Sequence, residues 1–214
     1  RHGVLTSVNI PDSPEPVPDD ILNGLPKEES DLARSLRGYR QVQFVGGRIA
    51  LRRACEQLGA RPPPILHDDR GAPTLPDGLV GSISHKRTLA LAMAANARDG
   101  TLGVDLEDYA PQRLTIAGHV LTDGEVHDIE QLPDDRKWIS ILIRFSIKES
   151  IYKAIDPFVR RYVGFHEAIV DPDVSGSADV RLQLKGQEGP FEVDARYEWL
   201  HGRLLTSVRI RPST

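Results

Sequence analysis

Hydrophobic and polar positions along the chain predict helices, then strands, then a long helix and more strands. Apolar residues recur at helical spacing from Lys27 to Leu58, after which Gly59 and the prolines at 62–64 end the helix. The run Leu89–Ala95 is apolar throughout and indicates a buried strand, although its alanines leave a helix open. Trp138–Ile155 is apolar on more than one helical face, which is typical of a buried helix.

Shorter apolar segments complete the pattern. Their length and composition predict strands at Leu102–Leu106, Val163–Val170 and Val180–Leu184, and around Tyr197 and Leu205. The glycine pair at 46–47 should weaken the first helical stretch, and a close backbone contact there is one explanation. The expected fold class is α+β, a mixed α/β arrangement.

The composition limits the classes of function. With 214 residues and 39% hydrophobic content, the chain can form one large domain or two small ones. A net charge of −4 with mixed signs argues against a nucleic-acid partner, and the apolar runs are too short to span a membrane. The one cysteine, Cys55, cannot form an internal disulfide, which favours a cytoplasmic location. Common nucleotide-binding and zinc-binding motifs are missing from the sequence.

Two carboxylates stand two residues apart in the segment 103–107. On a strand alternate side chains share a face, so Asp105 and Glu107 should point the same way while Val104 and Leu106 point into the core. Converging carboxylates repel each other unless a cation lies between them, and Mg²⁺ prefers oxygen ligands of this kind. A solvated strand end is the commoner explanation of such a pair taken alone.

A short charged segment interrupts the long apolar helix. Glu149 and Lys153 are four residues apart and share a helical face, whereas the side chain of Lys148 points about 100° away from that of Glu149. Buried charges need a partner or a ligand, so a metal or phosphate site is one interpretation and a solvent-exposed ion pair is the other. A third carboxylate that could join Asp105 and Glu107 favours the metal site.

Basic residues at several places could hold phosphate groups. Three arginines recur at helical spacing and can form one stripe: Arg40, Arg48 and Arg52. Arg70 follows in a turn, and Ser84, His85 and Lys86 precede the alanine-rich strand, where hydroxyl, imidazole and ammonium groups could bind a phosphate. Solvated arginines and a structural histidine are the commoner uses of such residues.

Together these signals resemble one known family. Gly-Val-Asp-Leu-Glu at 103–107, followed by Phe-Ser-Ile-Lys-Glu-Ser-Ile-Tyr-Lys-Ala at 145–154, is similar to the paired motifs of the Sfp-type 4′-phosphopantetheinyl transferases. The segment 71–85 resembles a third block of that family. The stretches 39–59 and 157–165 resemble its enterobactin-synthase-D-like branch. Some members carry a lysine where this chain has Ala72, and Arg70 or His67 could supply that charge.

The resemblance implies a fold of two similar α/β halves that form a pseudo-dimer, with the active site in the cleft between them. The expected halves are residues 1–108, which would bind the phosphates and adenine of coenzyme A, and residues 109–214, which would carry the metal and the catalytic helix. Periodicity in the sequence does not itself indicate this duplication.

The resemblance also implies the reaction and the roles of residues. Such enzymes move the phosphopantetheine arm of coenzyme A onto a serine of an acyl or peptidyl carrier protein, with Mg²⁺, and release adenosine 3′,5′-bisphosphate. The implied metal ligands are Asp105, Glu107 and Glu149. Glu149 and Lys153 are the implied catalytic residues, with Glu149 as general base, and a water activated by Asp105 is the alternative base. The implied contacts with coenzyme A come from Arg40, Arg48, Arg70, Ser84, His85, Lys148 and Lys153.

Two other functions could use the same residues. One is a Mg²⁺-dependent phosphohydrolase, and the other is a catalytically silent module that binds coenzyme A. For the transferase we expect a monomer that activates carrier proteins. The sequence does not identify the carrier: secondary metabolite biosynthesis is the expected setting, and fatty-acid, polyketide and peptide or siderophore assembly are all open. Arg160 and Arg161 could contact an acidic carrier surface, or form an ordinary exposed basic turn.

Overall fold

The computed structural model describes residues 2–213, which divide into two compact units. The first unit is His2–Asp99 and the second begins at Gly100. The boundary therefore lies after Asp99 rather than after residue 108, where the halves were expected to meet. The physical reason is that the acidic strand pairs along its whole length with the last strand of the chain and so belongs to the second unit.

The first unit is a three-stranded antiparallel sheet with helices, in the strand order β1-β3-β2. Its elements in chain order are β1 (Val4–Asn9), α1 (Asp19–Asn23), α2 (Lys27–Ser35), α3 (Tyr39–Gln57), β2 (Leu79–Lys86) and β3 (Leu89–Asn96). The predicted helical stretch is thus two helices, because the chain turns at Gly38, whose φ of 59° favours glycine. The strand expected at Leu89–Ala95 is confirmed, whereas β1 was not predicted.

The glycine pair at 46–47 lets α3 pack closely on this sheet. A Cβ atom on Gly46 would lie 2.5 Å from Cγ2 of Ile10, and one on Gly47 would lie 2.8 Å from Cγ2 of Ile83. Both distances are shorter than real Cβ contacts, so the close approach expected at this pair is confirmed. The helix ends as predicted near Gly59, which has a φ of 79°.

The second unit is a five-stranded antiparallel sheet with helices, in the strand order β4-β8-β7-β6-β5. Its elements in chain order are β4 (Thr101–Asp108), α4 (Ala117–Val120), α5 (Asp123–Glu130), α6 (Asp134–Val159), β5 (Ala168–Pro172), β6 (Ser177–Leu182), β7 (Phe191–Leu200) and β8 (Arg203–Pro212). The strand predicted at Val163–Val170 starts later, because Phe165–Glu167 form a short 3₁₀ turn in which the Glu167 carboxylate accepts the backbone N–H of Gly164.

The long helix predicted at Trp138–Ile155 is confirmed as the central part of α6. The side chains of Ile147, Ile151 and Ile155 are fully buried in the core of the second unit together with Leu204 of β8. Each unit therefore packs its longest helix on an antiparallel sheet, and the fold is mixed α/β, as predicted. Within residues 2–213, every helix is too short or too polar to cross a membrane.

Candidate active site

The carboxylate of Asp105 on β4 faces helix α6. One oxygen accepts a hydrogen bond of 2.9 Å from the hydroxyl of Ser146, and the other accepts one of 2.9 Å from the ammonium group of Lys153. Asp105 is only 5% exposed, so this ion pair and hydrogen bond hold a nearly buried charge. Because β4 is the edge strand of its sheet, the carboxylate lies at the margin of the second unit's sheet and not at its centre.

Small residues allow β4 and α6 to approach this closely. A Cβ atom on Gly103 would lie 1.8 Å from the backbone oxygen of Ser150, so only glycine fits there. The hydroxyl of Thr206 on β8 lies 2.7 Å from that of Ser150 and 3.0 Å from that of Ser146. These short polar side chains fill the helix–sheet interface where larger apolar ones would separate the two elements.

Lys153 lies on α6 with its ammonium group beside β4. Besides the bond to Asp105, the ammonium donates to the backbone oxygen of Val104 at 2.8 Å. The side chain of Lys153 is 27% exposed, in contrast to 7% for the side chain of Asp105. The lysine predicted to neutralise a pyrophosphate is therefore paired with a predicted metal ligand and still reaches solvent.

The other two predicted metal ligands, Glu107 and Glu149, are half-buried. Glu107 follows Asp105 by two residues on β4 and shares its face of the strand. Glu149 lies between Ser146 and Lys153 on α6, at spacings of three and four residues that place all three on one side of the helix. The predicted acids thus come from two elements that pack directly on each other.

A metal site formed by the three acids is not shown by this arrangement. Among residues 2–213, no group of three His, Cys, Asp or Glu side chains is arranged to hold a metal ion. In this arrangement the carboxylate oxygens of Asp105 bind the cationic Lys153 and the hydroxyl of Ser146. The carboxylates have the donor chemistry that Mg²⁺ prefers, and their role as its ligands stays a prediction.

Lys148 is buried and paired within the second unit. Its side chain is 1% exposed, and its ammonium group donates to Glu125 at 2.6 Å and to the backbone oxygen of Val120 at 2.8 Å. Burial lowers the pKa of Lys148, and the hydrogen bond and charge of Glu125 act in the opposite direction. This buried pair fastens α6 to α4 and α5, and the expected contact between Lys148 and coenzyme A stays a prediction.

Glu125 explains why α5 can hold this lysine. It closes the capping box of α5, accepting the backbone N–H of Thr122 at 2.8 Å, and it also accepts the backbone N–H of Val170 at 2.8 Å. One carboxylate therefore joins α5, α6 and β5. The sequence carried a signal for the cap in Thr122-x-x-Glu125, but none for its pairing with Lys148.

A cavity of about 160 Å³ lies beside Glu149. It is lined by Lys148, Glu149, Ile151, Tyr152, Tyr162, Val163, Gly164, Phe165 and Ala168. Most of these groups are apolar or aromatic, and the carboxylate-bearing Glu149 is one of the few charged members. The sequence did not indicate this cavity, although the aromatic residues at its edge follow the catalytic motif closely.

The two arginines of the basic turn after α6 differ in their surroundings. Arg161 donates to Glu188 at 2.6 Å and to Glu167 at 2.7 Å, and these carboxylates raise its pKa. The same hydrogen bond from Arg161 is the main cause that lowers the pKa of Glu167 to about 2. Arg161 is thus part of a structural ion-pair network, whereas Arg160 remains exposed.

Arg48 of the first unit makes several contacts within its own unit. It is buried, donates to the backbone oxygens of Ile65 at 2.6 Å and Leu66 at 3.0 Å, and its guanidinium lies 4.4 Å from the ring centre of Phe44. Burial lowers the pKa of Arg48 to about 10, against the opposing charge of Glu29. These contacts fasten the segment after the prolines to α3, and the predicted contact of Arg48 with a phosphate stays a prediction.

Arg52 acts in the same way one helical turn later. It donates to the backbone oxygen of Pro62 at 2.8 Å and forms an ion pair with the buried Glu29. Since Arg52 holds residue 62 and Arg48 holds residues 65 and 66, this segment runs antiparallel to α3. The following turn, residues 67–73, is therefore carried toward the N-terminal end of the helix.

Three of the predicted basic residues lie toward the N-terminal end of α3, where they could contact a ligand. Arg40 is exposed in the first turn of α3. Arg70 lies in the turn 67–73, where Asp68 accepts the backbone N–H groups of Arg70 and Ala72, each at 2.9 Å. His85 is exposed on β2, two residues after Ile83, whose side chain meets α3.

Ser84 and His85 lie on opposite faces of β2, as their adjacency in a strand requires. Ser84 is buried and His85 is exposed. The strand register explains the position of His85. Gly81 of β2 faces Leu51 of α3, and Ile83 of β2 faces Gly47 of α3. Moving two residues forward along β2 therefore corresponds to moving one helical turn back toward the start of α3. His85 thus lies toward the end that carries Arg40.

Comparison with known proteins identifies the family to which the chain belongs. The segment 27–95 matches the family described as 4′-phosphopantetheinyl transferase N-terminal domain, and the segment 101–206 matches the 4′-phosphopantetheinyl transferase superfamily. The chain is 35% identical over 213 residues to the 4′-phosphopantetheinyl transferase Npt of Nocardia iowensis, covering 89% of this chain and 90% of the relative. The chain belongs to the 4′-phosphopantetheinyl transferase superfamily.

Two further relatives support this membership and the predicted branch. The 4′-phosphopantetheinyl transferase Svp of Streptomyces mobaraensis is 36% identical over 201 residues, with 87% of this chain and 76% of the relative covered. Enterobactin synthase component D of Salmonella typhimurium is 36% identical over 170 residues, with 79% of this chain and 70% of the relative covered. The predicted family and enzyme class are confirmed, and the phosphohydrolase and the silent binding module are not supported. The two family matches fall on the two units of the structure.

Proposed function

We propose that the chain transfers the 4′-phosphopantetheine group of coenzyme A to a serine of an acyl or peptidyl carrier protein. The observation that carries the proposal is the contact between Lys153 and Asp105, made by the two family motifs on β4 and α6. Glu149 lies one helical turn before Lys153 on the same side of α6. Membership of the transferase superfamily supports assigning the chemistry to this group of residues.

The reaction requires a proton acceptor and a positive charge. The serine hydroxyl attacks the phosphorus that carries pantetheine, the bond from this phosphorus to adenosine 3′,5′-bisphosphate breaks, and the serine proton is taken up. Glu149 is the proposed general base because it is half-buried and borders the cavity beside α6. Lys153 would turn from Asp105 toward the phosphate oxygens and offset their negative charge.

The cavity beside Glu149 is the proposed site for the pantetheine arm. This arm is a flexible chain of amide and methylene groups attached to the reacting phosphate. The cavity offers the rings of Tyr152 and Phe165 and the side chain of Val163, which suit such a chain. Since Glu149 lines the same cavity, an arm bound there would bring its phosphate close to the proposed base.

The basic end of the first unit is the proposed site for other phosphate groups of coenzyme A. Arg40, Arg70 and His85 carry this assignment because they lie toward the same end of that unit. The proposed contact of Ser84 with coenzyme A rests on the family resemblance alone. Arg48 and Lys148 are not assigned to this phosphate site, because the guanidinium of Arg48 and the ammonium of Lys148 are buried and bonded to other parts of the chain.

A need for Mg²⁺ stays a prediction from the resemblance. The acids Asp105, Glu107 and Glu149 supply the donor type that this ion prefers, while their arrangement here does not assemble a site. The steps above are therefore assigned to residues of the chain alone. A cytoplasmic location, a monomeric state and a role in secondary metabolism also stay predictions.

The test is transfer of a defined mass to a carrier. The protein is mixed with coenzyme A, Mg²⁺ and a panel of apo carrier domains, and the carriers are weighed by mass spectrometry. We expect one carrier or more to gain the mass of one phosphopantetheine group. A panel in which no carrier gains this mass would contradict the proposal.

Two controls make the result specific. Glu149→Gln keeps the shape of the side chain and should abolish the mass gain while thermal unfolding stays nearly unchanged. Omitting the carrier should leave coenzyme A intact. Release of adenosine 3′,5′-bisphosphate without a carrier would instead indicate a phosphohydrolase.

A further inference from the structure

A cavity of about 690 Å³ lies in the second unit, between α5, the first turns of α6 and the strands β5 and β7. Six of its lining side chains are apolar or aromatic: Leu132, Ile139, Ile143, Pro172, Val174 and Tyr197. This volume falls in the range of roughly 300–1,000 Å³ that is usual for small-molecule sites. Its lining residues are different ones from those assigned to the candidate active site.

Arg144 is the buried charged residue of this cavity. It is 6% exposed, and one terminal nitrogen donates to the hydroxyl and the backbone oxygen of Ser140, one turn earlier on α6. Its other terminal nitrogen lies 3.9 Å from the nearer carboxylate oxygen of Asp171, which is too far for a hydrogen bond. Among residues 2–213, the buried Nε of Arg144 has no hydrogen-bond partner.

This guanidinium therefore has fewer acceptors than its buried charge requires. A buried charged donor without an acceptor costs free energy, and apolar surroundings add to that cost. Burial lowers the pKa of Arg144, and the charges of Glu125, Asp171 and Asp128 raise it, but an arginine keeps its proton throughout. An anionic group that enters the cavity would supply the missing acceptor.

The charges at the mouth of the cavity select the kind of anion. Asp128, Arg136 and Asp171 are all exposed there, so the mouth carries more negative than positive charge. A dianion such as phosphate would be repelled by the two aspartates more strongly than a singly charged group. A carboxylate has one charge and two oxygens that match the planar fork of an arginine.

We infer that this cavity binds a small monocarboxylate with an apolar body. The carboxylate would accept from the unsatisfied side of Arg144, and the apolar body would pack on Ile139, Ile143 and Tyr197. The site is separate from the proposed transfer reaction, so either assignment can fail without the other.

The experiment measures binding of 4-phenylbutanoate, its uncharged amide and inorganic phosphate by calorimetry. We expect saturable binding of the acid at one site, with at least tenfold weaker binding of the amide. Arg144→Met should weaken binding of the acid at least tenfold. Asp171→Asn should tighten it severalfold, because it removes a competing negative charge from the mouth. No binding of the acid, or equal binding of the amide or phosphate, would overturn the inference.

Matched variants separate binding from folding. Arg196→Met removes an exposed arginine of β7 whose partner is Asp194, and it should leave affinity unchanged. Thermal unfolding checks that Arg144→Met is folded. If Arg144→Met does not fold, the affinity of Asp171→Asn alone tests the inference. The side chain of Asp171 is 81% exposed, so this substitution should not disturb the fold. Unchanged or weaker affinity of Asp171→Asn for the acid would then count against the site. The transfer activity of the Asp171→Asn variant should equal that of the wild type.

Discussion

The ammonium group of Lys153 lies 2.9 Å from a carboxylate oxygen of Asp105, joining the two family motifs in one ion pair. The two partners are unequally exposed, because the aspartate is nearly buried and the lysine is not. Asp105 also keeps its hydrogen bond to Ser146. The lysine is therefore the partner that can leave the pair when a phosphate arrives, and the aspartate is the fixed one.

Lys153→Met should lower kcat/KM for transfer at least a hundredfold, because no other group of α6 is assigned to offset the phosphate charge. Stability should fall by only about 1–3 kcal/mol, since Ser146 still binds Asp105. Steady-state kinetics and urea denaturation measure the two effects. Lys153→Arg, which keeps the charge, should recover part of the activity. Transfer within threefold of the wild type in Lys153→Met would show that this charge is not needed.

Lys148→Met should act on stability instead. The substitution leaves the carboxylate of Glu125 buried without its cationic partner, and breaking a buried pair typically costs about 3–5 kcal/mol. Urea denaturation measures this loss. The double variant with Glu125→Gln should lose less than the sum of the two single changes. A stable Lys148→Met protein with a raised KM for coenzyme A would instead restore the role implied by the resemblance.

Replacement by methionine should affect stability at Arg48 and binding of coenzyme A at Arg40. Arg48→Met removes the bonds to Ile65 and Leu66 and should lower the melting temperature markedly. Arg40 is exposed, so Arg40→Met should change stability by less than about 0.5 kcal/mol and raise the KM for coenzyme A severalfold. Arg53→Met, at another exposed position of α3, is the control for loss of charge and should change neither quantity. A raised KM in this control would mean that the effect of Arg40 is general.

Gly103→Ala should be among the most damaging single changes. The added methyl group would overlap the backbone oxygen of Ser150, so β4 and α6 must move apart. We expect a loss of about 4 kcal/mol or more in the free energy of unfolding, or poor recovery of folded protein. Gly118→Ala is the matched control, because nothing lies within 4 Å of a Cβ atom there. Equal stability of the two variants would contradict the close contact of β4 with α6.

Glu167 should contribute to stability in a pH-dependent way. The hydrogen bond from Arg161 lowers its pKa to about 2 in the folded protein, from an ordinary value of 4.5. The contribution is therefore complete above about pH 4.5 and is lost as the pH falls toward 2. The difference in unfolding free energy between wild type and Glu167→Gln should shrink over this interval. Glu192→Gln, which removes an exposed carboxylate, is the control, and a constant difference for Glu167→Gln would refute the assignment.

Elements with a strong local pattern could be predicted from the sequence. β3 and α6 each show their period within a short window, and both lie where expected. β1 has only six residues, mostly half-buried, and prolines follow it closely, so its hydrophobic pattern is weak. It becomes a strand through its pairing with β3, whose paired residues lie about 80 to 90 positions later in the chain.

The candidate site shows the same limit. Alternation along β4 predicted the shared face of Asp105 and Glu107, but the partner of Asp105 lies 48 residues away. Lys148 and Lys153 look equivalent in the motif, and only the position of α5 decides which one is buried. Arg40 and Arg48 likewise occupy one helical stripe, and the segment 62–66 covers the second of them alone.

The ion-pair network of Arg161 has one further effect. Its guanidinium also donates to the backbone oxygen of Tyr162 at 2.8 Å, so the chain is anchored where the Tyr162 ring projects with 73% of its surface exposed. The ring leans against that of Tyr152, with centroids 6.2 Å apart. An aromatic group that is already held in place loses little motional freedom when another molecule packs on it. Tyr162 is thus a pre-formed contact site for another molecule at the edge of the cavity beside Glu149.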